Sequence, residues 1–355
     1  MRKQSNTPDI SNIFPNFPDR PAVIRHLKSS DALWSTFNQL SEETQEMIIG
    51  FFLGQNGLPI TSDAVFRRIF DPEIHRERVE ALLTAIFGRS VKIVQILPRE
   101  GSQLTERGSF VVMDILVVLD SGDYADIEMQ KIGYKFPIER SDCYSADMIM
   151  RQYNSLKSRL KNTFSFKVMK KVFCIVLMEQ SAKCFRELPD RYRHHRYMTF
   201  DTNIMQGHTG LHEDFFLCLD IFRQNIHNVD TSSSPLDVWL MFLSSTDINA
   251  IRNLITEFPE FIPIYREIVE FTKDPEVLLN MFSEALYIMD RNTERLMVTE
   301  LQEENDSLRN AVATAIAERD IAITEKDATI AAKDNALAER DKLIAKLQAQ
   351  LAQKQ

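Results

Sequence analysis

Cysteine is scarce and scattered. Cys143, Cys174, Cys184 and Cys218 are the only four in 355 residues, and no two form a CxxC pair. That spacing excludes a disulfide framework or a structural zinc ribbon and fits a reducing compartment. Long hydrophobic runs are missing as well: no window approaches about 18 consecutive apolar residues, so no membrane-spanning helix is expected. The first residues, MRKQSNTPDISNIF, hold neither an apolar signal region nor a small-residue cleavage site, and a cytoplasmic protein is expected. Positive charge is in deficit, with 42 Lys and Arg against 51 Asp and Glu and a net charge of -9. This excludes a chain coated in basic residues for nucleic-acid binding while leaving room for a local basic groove.

What is present is enough for a core. An apolar fraction of 44% supports a globular chain, and 355 residues correspond to roughly two domains at ~150 residues each. The most informative stretch is Phe110 to Lys131, FVVMDILVVLDSGDYADIEMQK. It reads as two strands joined by a tight turn at Ser121-Gly122-Asp123. Asp114 interrupts an otherwise apolar run, and a charge in that setting costs several kcal/mol unless it is compensated. Glu128 returns on the second strand, and a divalent cation between the two carboxylates is the economical compensation. Side-chain alternation decides whether they can meet. A two-residue turn would pair 114 with 129 and send Glu128 to the opposite face. A three-residue turn over 121–123 would pair 114 with 130 and 116 with 128, placing Asp114, Glu128 and Gln130 on one face. Gly122 or a neighbour would supply the positive φ, or a bulge would serve instead.

Around this hairpin the chain divides readily. Residues 1–30, with prolines at 8, 15, 18 and 21, read as an extended arm. Two short helices follow at 31–40 and 41–53, the second capped by Ser41, and Gly54, Gly57 and Pro59 mark a boundary. Asp63 opens a helix whose apolar stripe is Ala64, Phe66, Ile69 and Phe70, with Arg67 and Arg68 on its other side. A second helix spans 74–87. Strands are expected at 91–97, 171–178, 192–200 and 215–222, and a helix at 142–160. From Leu236 onward the pattern is helical. Segments 1–57, 58–245, 246–296 and 297–355 are the expected divisions.

The last of these is a repeat. From Ala317 the units AERDIAI, TEKDATI, AAKDNAL, AERDKLI and AKLQAQL recur, placing Ile323, Ile330, Leu337, Ile344 and Leu351 one heptad apart, with no glycine or proline after Pro275. This is a coiled-coil seam on a long helix. Its second seam position is filled by Asp320, Asp327, Asp334 and Asp341, which weakens the zipper. A parallel homo-oligomer and a lone solvated helix both remain open.

Taken together, Asp63-Ala-Val-Phe-Arg-Arg-Ile-Phe, Asp114-Ile, Ile127-Glu128-Met-Gln130, Glu139-Arg140 and Tyr144 resemble the PD-(D/E)XK nuclease family transposases, the Rpn-like recombination-promoting nucleases. The resemblance runs from about Leu58 to Asp290 and includes DFFLCLDIF, matched to a later strand, and the Trp239-Leu-Met-Phe-Leu helix. It implies an α/β restriction-endonuclease-like core, a mixed sheet with flanking helices, followed by a helical segment and the coiled coil. It also implies a Mg²⁺- or Mn²⁺-dependent DNA endonuclease acting on double-stranded DNA in recombination or transposition. Asp114, Glu128 and Asp63 would hold the metal, and Gln130 occupies the position where the wider superfamily carries a lysine. Lys131 is adjacent but belongs to the other strand face.

Several residues have plainer readings. Asp114 could pair with a core arginine or lysine, and Asp63 could be an acid favoured by a helix N-terminus. Glu128 and Gln130 could be a solvated strand face. Arg140 and Tyr144, four apart, are either a packing pair or phosphate contacts. Lys157, Arg159 and Lys161, with the basic run at 191–196, are candidates for a DNA groove. The alternative to an enzyme is a nuclease fold without cleavage, working as a DNA- or protein-binding module displayed by its coil.

Overall fold

The computed structural model describes residues 13–15, 17–99, 113–132, 138–202, 210–226 and 234–352, with backbone only for 132, 284–307, 349 and 351–352. The chain forms two compact units, Met1–Leu286 and Tyr287–Gln355. In the first unit, α1 (Arg20–Leu27), α2 (Asp31–Gln39) and α3 (Glu42–Phe52) precede the sheet. The helix α1 lies within the segment expected to be an extended arm. Proline belongs in a first helical turn, where its missing N–H has no partner to lose, and Pro21 sits there, with Asp19 capping the backbone N–H of Ala22 at 2.8 Å. Then follow α4 (Asp63–Ile69), α5 (Arg76–Phe87), β1 (Ile93–Ile96), β2 (Ile115–Leu119), β3 (Tyr124–Ile132), α6 (Ile138–Leu160), β4 (Val172–Gln180), α7 (Lys183–Arg186), β5 (Arg193–Tyr197) and β6 (His212–Cys218). Helices α8 (Leu219–Asn225), α9 (Pro235–Ser244), α10 (Ile248–Glu257), α11 (Ile262–Thr272) and α12 (Pro275–Ala352) complete it.

The six strands form one mixed sheet in the order β1-β2-β3-β4-β6-β5. The β2–β3 hairpin is antiparallel, β3, β4 and β6 run parallel, and both edge strands are antiparallel to their neighbours. Antiparallel edges on a parallel centre are a common mixed-sheet arrangement. The segment 215–222, expected as strand, changes to helix at Leu219. The parallel ladder ends with Met178 opposite Cys218. Asp220, in the first turn of α8, then accepts from the backbone N–H and the hydroxyl of Ser181, just past the end of β4. A short apolar run such as LCLDIF satisfies either element, and tertiary contacts decide.

Each face of the sheet has its own apolar layer. Ile115, Val117, Ala125, Ile127, Ile175 and Leu217 pack with α4, α5 and the helices from α9 onward. Leu116, Val118, Cys174, Val176 and Phe216 pack with Tyr144 and Met148 of α6. The first layer is continuous from Ile13 to Phe282, so the helices before residue 58 and after residue 245 share one core with the sheet. Phe70, Trp239, Phe242, Phe261 and Tyr265 form an aromatic cluster within it, with neighbouring ring centroids 4.9–6.5 Å apart.

The second unit is helical up to Ala352. Leu308, Val312, Ile316, Ile323, Ile330, Leu337 and Ile344 are all exposed on it, so its apolar stripe faces solvent.

Candidate active site

Register places the candidate residues. The hairpin pairs Ile115 with Ile127, Leu116 with Asp126 and Val118 with Tyr124. The backbone N–H of Leu119 donates to the carbonyl of Asp123 at 2.8 Å, leaving a three-residue loop of Asp120, Ser121 and Gly122. The loop lies one residue earlier than expected. Because that shifts the pairing by two positions, the faces are unchanged. Gly122 supplies the positive φ, +85°, and an added Cβ would meet Lys170 Cγ at 3.2 Å.

Asp114 stands just before β2, where the ladder stops. Its Oδ2 accepts from the backbone N–H of Met129 at 3.0 Å, replacing the carbonyl that a continuing strand would offer. Its own backbone N–H donates to Glu128 Oε1, also at 3.0 Å. The side chain is therefore reachable from both faces of the sheet. From the α4 side, Arg67 donates to Asp114 Oδ1 through Nε at 3.2 Å and Nη2 at 2.8 Å. From the α6 side comes Glu128, and Gln130 Nε2 donates to Glu128 Oε2 at 3.3 Å. Asp63, which opens α4, is close enough for the charge of Asp114 to act on it. The structure thus gathers Asp63, Asp114, Glu128 and Gln130 around one end of the β2–β3 ladder.

Two participants went unrecognised in the sequence. Arg67 sits on the polar side of α4, where solvent was the ordinary expectation. Asp126 shares its strand phase with Glu128, and that spacing was the available signal. It is 0% exposed, and its Oδ1 has no hydrogen-bond partner. Asp114 and Glu128 are 7% and 2% exposed.

So many carboxylates in so little water hold protons tightly. Burial, then the charges of Asp126 and Asp114, push the Glu128 carboxyl well above the usual carboxylate range, against Arg140 and the N–H of Asp114. Burial and Asp114 do the same to Asp126, against its contact with Glu128 and the charges of Arg140 and Arg151. Asp63 is raised by burial and by Asp114, while Arg67 and Lys131 oppose it. Lys131 itself is exposed. Burial and Glu128 also raise the phenol of Tyr144. For Arg67, burial works against the charge, but Asp114, Asp63 and Glu128 together hold the guanidinium above its ordinary value.

The remaining candidates are dispersed. Arg140 Nε donates to the Tyr144 hydroxyl at 2.6 Å and the guanidinium lies 5.2 Å from that ring, so the two form a packing pair beside Glu128. Lys157 is exposed and donates to Tyr153 at 2.6 Å. Arg159 and Lys161 are exposed near the end of α6. In the basic run, His195 stacks on Phe215 at 4.2 Å and pairs with Glu213. Arg196 is bound to Asp214 at 2.6 Å and to Asp142 at 2.5 Å. Among the described residues, Asp142, His212 and Asp214 are the one grouping of three metal-type ligands whose atoms lie within 4.8 Å of one another. Arg196 already supplies the cation there. Asp63, Asp114, Asp126 and Glu128 form no grouping that tight, and a shared ion would draw them in from Arg67 and Met129. As a donor set of hard oxygens, with one buried oxygen unpaired, they nevertheless fit a Mg²⁺-like cation.

A mixed sheet with an acid at the end of one strand, a buried glutamate on the next and helices on both faces defines a PD-(D/E)XK core. The family model described as PD-(D/E)XK nuclease family transposase matches residues 60–303, and the chain belongs to that family. This membership places it among nuclease-type proteins, whose members typically use divalent metals. No curated protein and no solved structure matches the chain. No helix among the described residues is long and apolar enough to cross a membrane.

Proposed function

We propose that the protein is a metal-dependent DNA endonuclease that hydrolyses phosphodiester bonds of double-stranded DNA, in recombination or transposition. The observation that carries this reading is the meeting of Asp114 and Glu128 where the β2–β3 ladder ends. Asp114, Glu128 and Asp63 would hold Mg²⁺ or Mn²⁺, which when bound supplies charge neutralisation at the scissile phosphate and lowers the pKa of water. Glu128 is oriented by the Asp114 N–H and by Gln130. Gln130 cannot act as a base at the superfamily's lysine position, and its role is to orient a water or the glutamate. Arg67 sets a positive charge against Asp114 at 2.8 Å. Arg140, Lys157, Arg159 and Lys161 are proposed DNA contacts along α6 and the turn after it, with the buried Tyr144 holding Arg140.

The test is plasmid nicking by the full chain in Mg²⁺, in Mn²⁺ and in EDTA. Cleavage dependent on the metal supports the reading. Absence of cleavage in every metal and salt would leave a nuclease fold that works by binding alone, the alternative for which the acidic net charge and Gln130 leave room.

The segments proposed are a nuclease-like domain at 58–245, with 1–57 and the helical extension 246–296 as flanking parts, and a coil at 297–355. The exposed heptad stripe supports a second copy of the chain as its partner. Sedimentation should show an oligomer for the full chain and a monomer after truncation at residue 296.

A further inference from the structure

We propose that Asp126, two residues before Glu128 on the same strand face, is a fourth carboxylate ligand of the divalent-cation centre through its buried Oδ1; this rests on the metal-centre reading above. Packing alone gains nothing from a carboxyl group at this position. It lies on the α6 face of β3, flanked in register by Leu116 and Cys174, within an apolar layer. An apolar side chain would match the chemistry of that layer. A polar atom buried without a partner costs about 1–3 kcal/mol, and charge raises that cost.

The remaining contacts relieve the burial only in part, through the contact with Glu128 and the charges of Arg140 and Arg151. Cys174 Sγ is 3.9 Å from Oδ2, a weak sulfur contact, and Oδ1 has no partner at all. Arg67, the guanidinium bonded to Asp114, reaches Asp114 rather than Asp126. The helix covering this face brings a second buried oxygen without a partner, Ser145 Oγ, at 1% exposure. Tyr144, next to it, accepts from Arg140 Nε through its hydroxyl. The β3–α6 layer therefore holds a carboxylate oxygen and a hydroxyl that no side chain pairs, and a cation would meet the charge of the first. Strand geometry points the same way, since residues two apart on one strand share a face and Asp126 and Glu128 act on one another directly.

The test measures ion binding without DNA or turnover. Mn²⁺ affinity is followed by titration calorimetry, and the water count of bound Tb³⁺ by its luminescence lifetime in H₂O and D₂O. The full-length parent is compared with Asp126→Asn and, because the amide could disturb folding, with Asp126→Leu, an apolar replacement that suits the layer. Circular dichroism and urea melts establish that each variant is folded. The expected result is a loss of Mn²⁺ affinity of at least about tenfold, with one more water on bound Tb³⁺ than in the parent. Parental affinity and hydration in a folded variant would overturn the assignment of Asp126 while leaving the metal centre intact. A lower affinity with unchanged hydration would also overturn it, since Asp126 would then only position Glu128. A parent that binds neither ion would overturn the metal centre itself and this proposal with it.

Discussion

Asp114→Ala and Glu128→Gln are each expected to reduce Mg²⁺-dependent nicking by about a thousandfold or more, while moving stability in opposite directions. Metal-assisted charge stabilisation is worth several kcal/mol, and each 1.36 kcal/mol is roughly tenfold in rate. The two side chains differ in what else they hold. Asp114 accepts from Arg67 and from the backbone N–H of Met129. Alanine leaves both donors without this acceptor, at a cost of about 2 kcal/mol in metal-free buffer. Glu128 has the opposite balance. It is buried beside Asp126 and Asp114, and both act to destabilise its charge. Glutamine keeps an oxygen to accept from the Asp114 N–H and removes the charge, so metal-free stability should rise by on the order of 1 kcal/mol, a few degrees in melting temperature. Nicking assays and melts in EDTA read the two effects separately. Retained cleavage in either variant would remove that residue from the site. A matching loss of stability in both would show that the buried acids are well compensated in the folded protein.

The second large effect is on pH. Asp126 and Glu128 both bind protons more tightly folded than unfolded, because burial and the neighbouring carboxylates raise their pKa values. A group raised in this way contributes stability that is fully present below its unfolded pKa, about 4 for a carboxyl group, and lost as the pH rises through its folded value. The folded state holds more protons in that window, so the slope of stability against pH is negative. In EDTA the first unit should therefore lose stability steadily as the pH rises from mildly acidic to neutral and beyond. Excess Mg²⁺ should restore it, and more strongly at higher pH, because the ion competes with the protons for the same oxygens. Urea melts across pH, with and without Mg²⁺, check this. A metal-free profile that is flat through the neutral range would mean that these carboxyls ionise as freely in the folded protein as in the unfolded chain.

Several features are legible in the sequence alone. Asp114 was conspicuous because an acid interrupts an apolar run, and Gly122 because a three-residue hairpin loop needs a positive φ. The faces of Glu128 and Gln130 followed from alternation, which survives a shift of the pairing by two positions. The helix α8 was not legible, since LCLDIF suits a strand or a helix by hydrophobicity alone, and the bond from Ser181 to Asp220 decides it. Nor was α1, because proline spacing reads as extended chain until a cap such as Asp19 is seen to engage.

The sequence by itself determined the hairpin with its two acids, the α/β class, the family resemblance and the heptad helix, because periodicity and turn chemistry are local properties of the chain. Only the tertiary structure decided which charges meet. Arg67 lies 47 residues from Asp114 and on a helix face that sequence reading gives to solvent, and packing of α4 against the sheet brings them together. Asp126 is one more polar residue in an alternating strand until α6 closes over it and removes the water. Burial is a property of the assembled layers, and burial is what turns these carboxylates from surface charges into a candidate site.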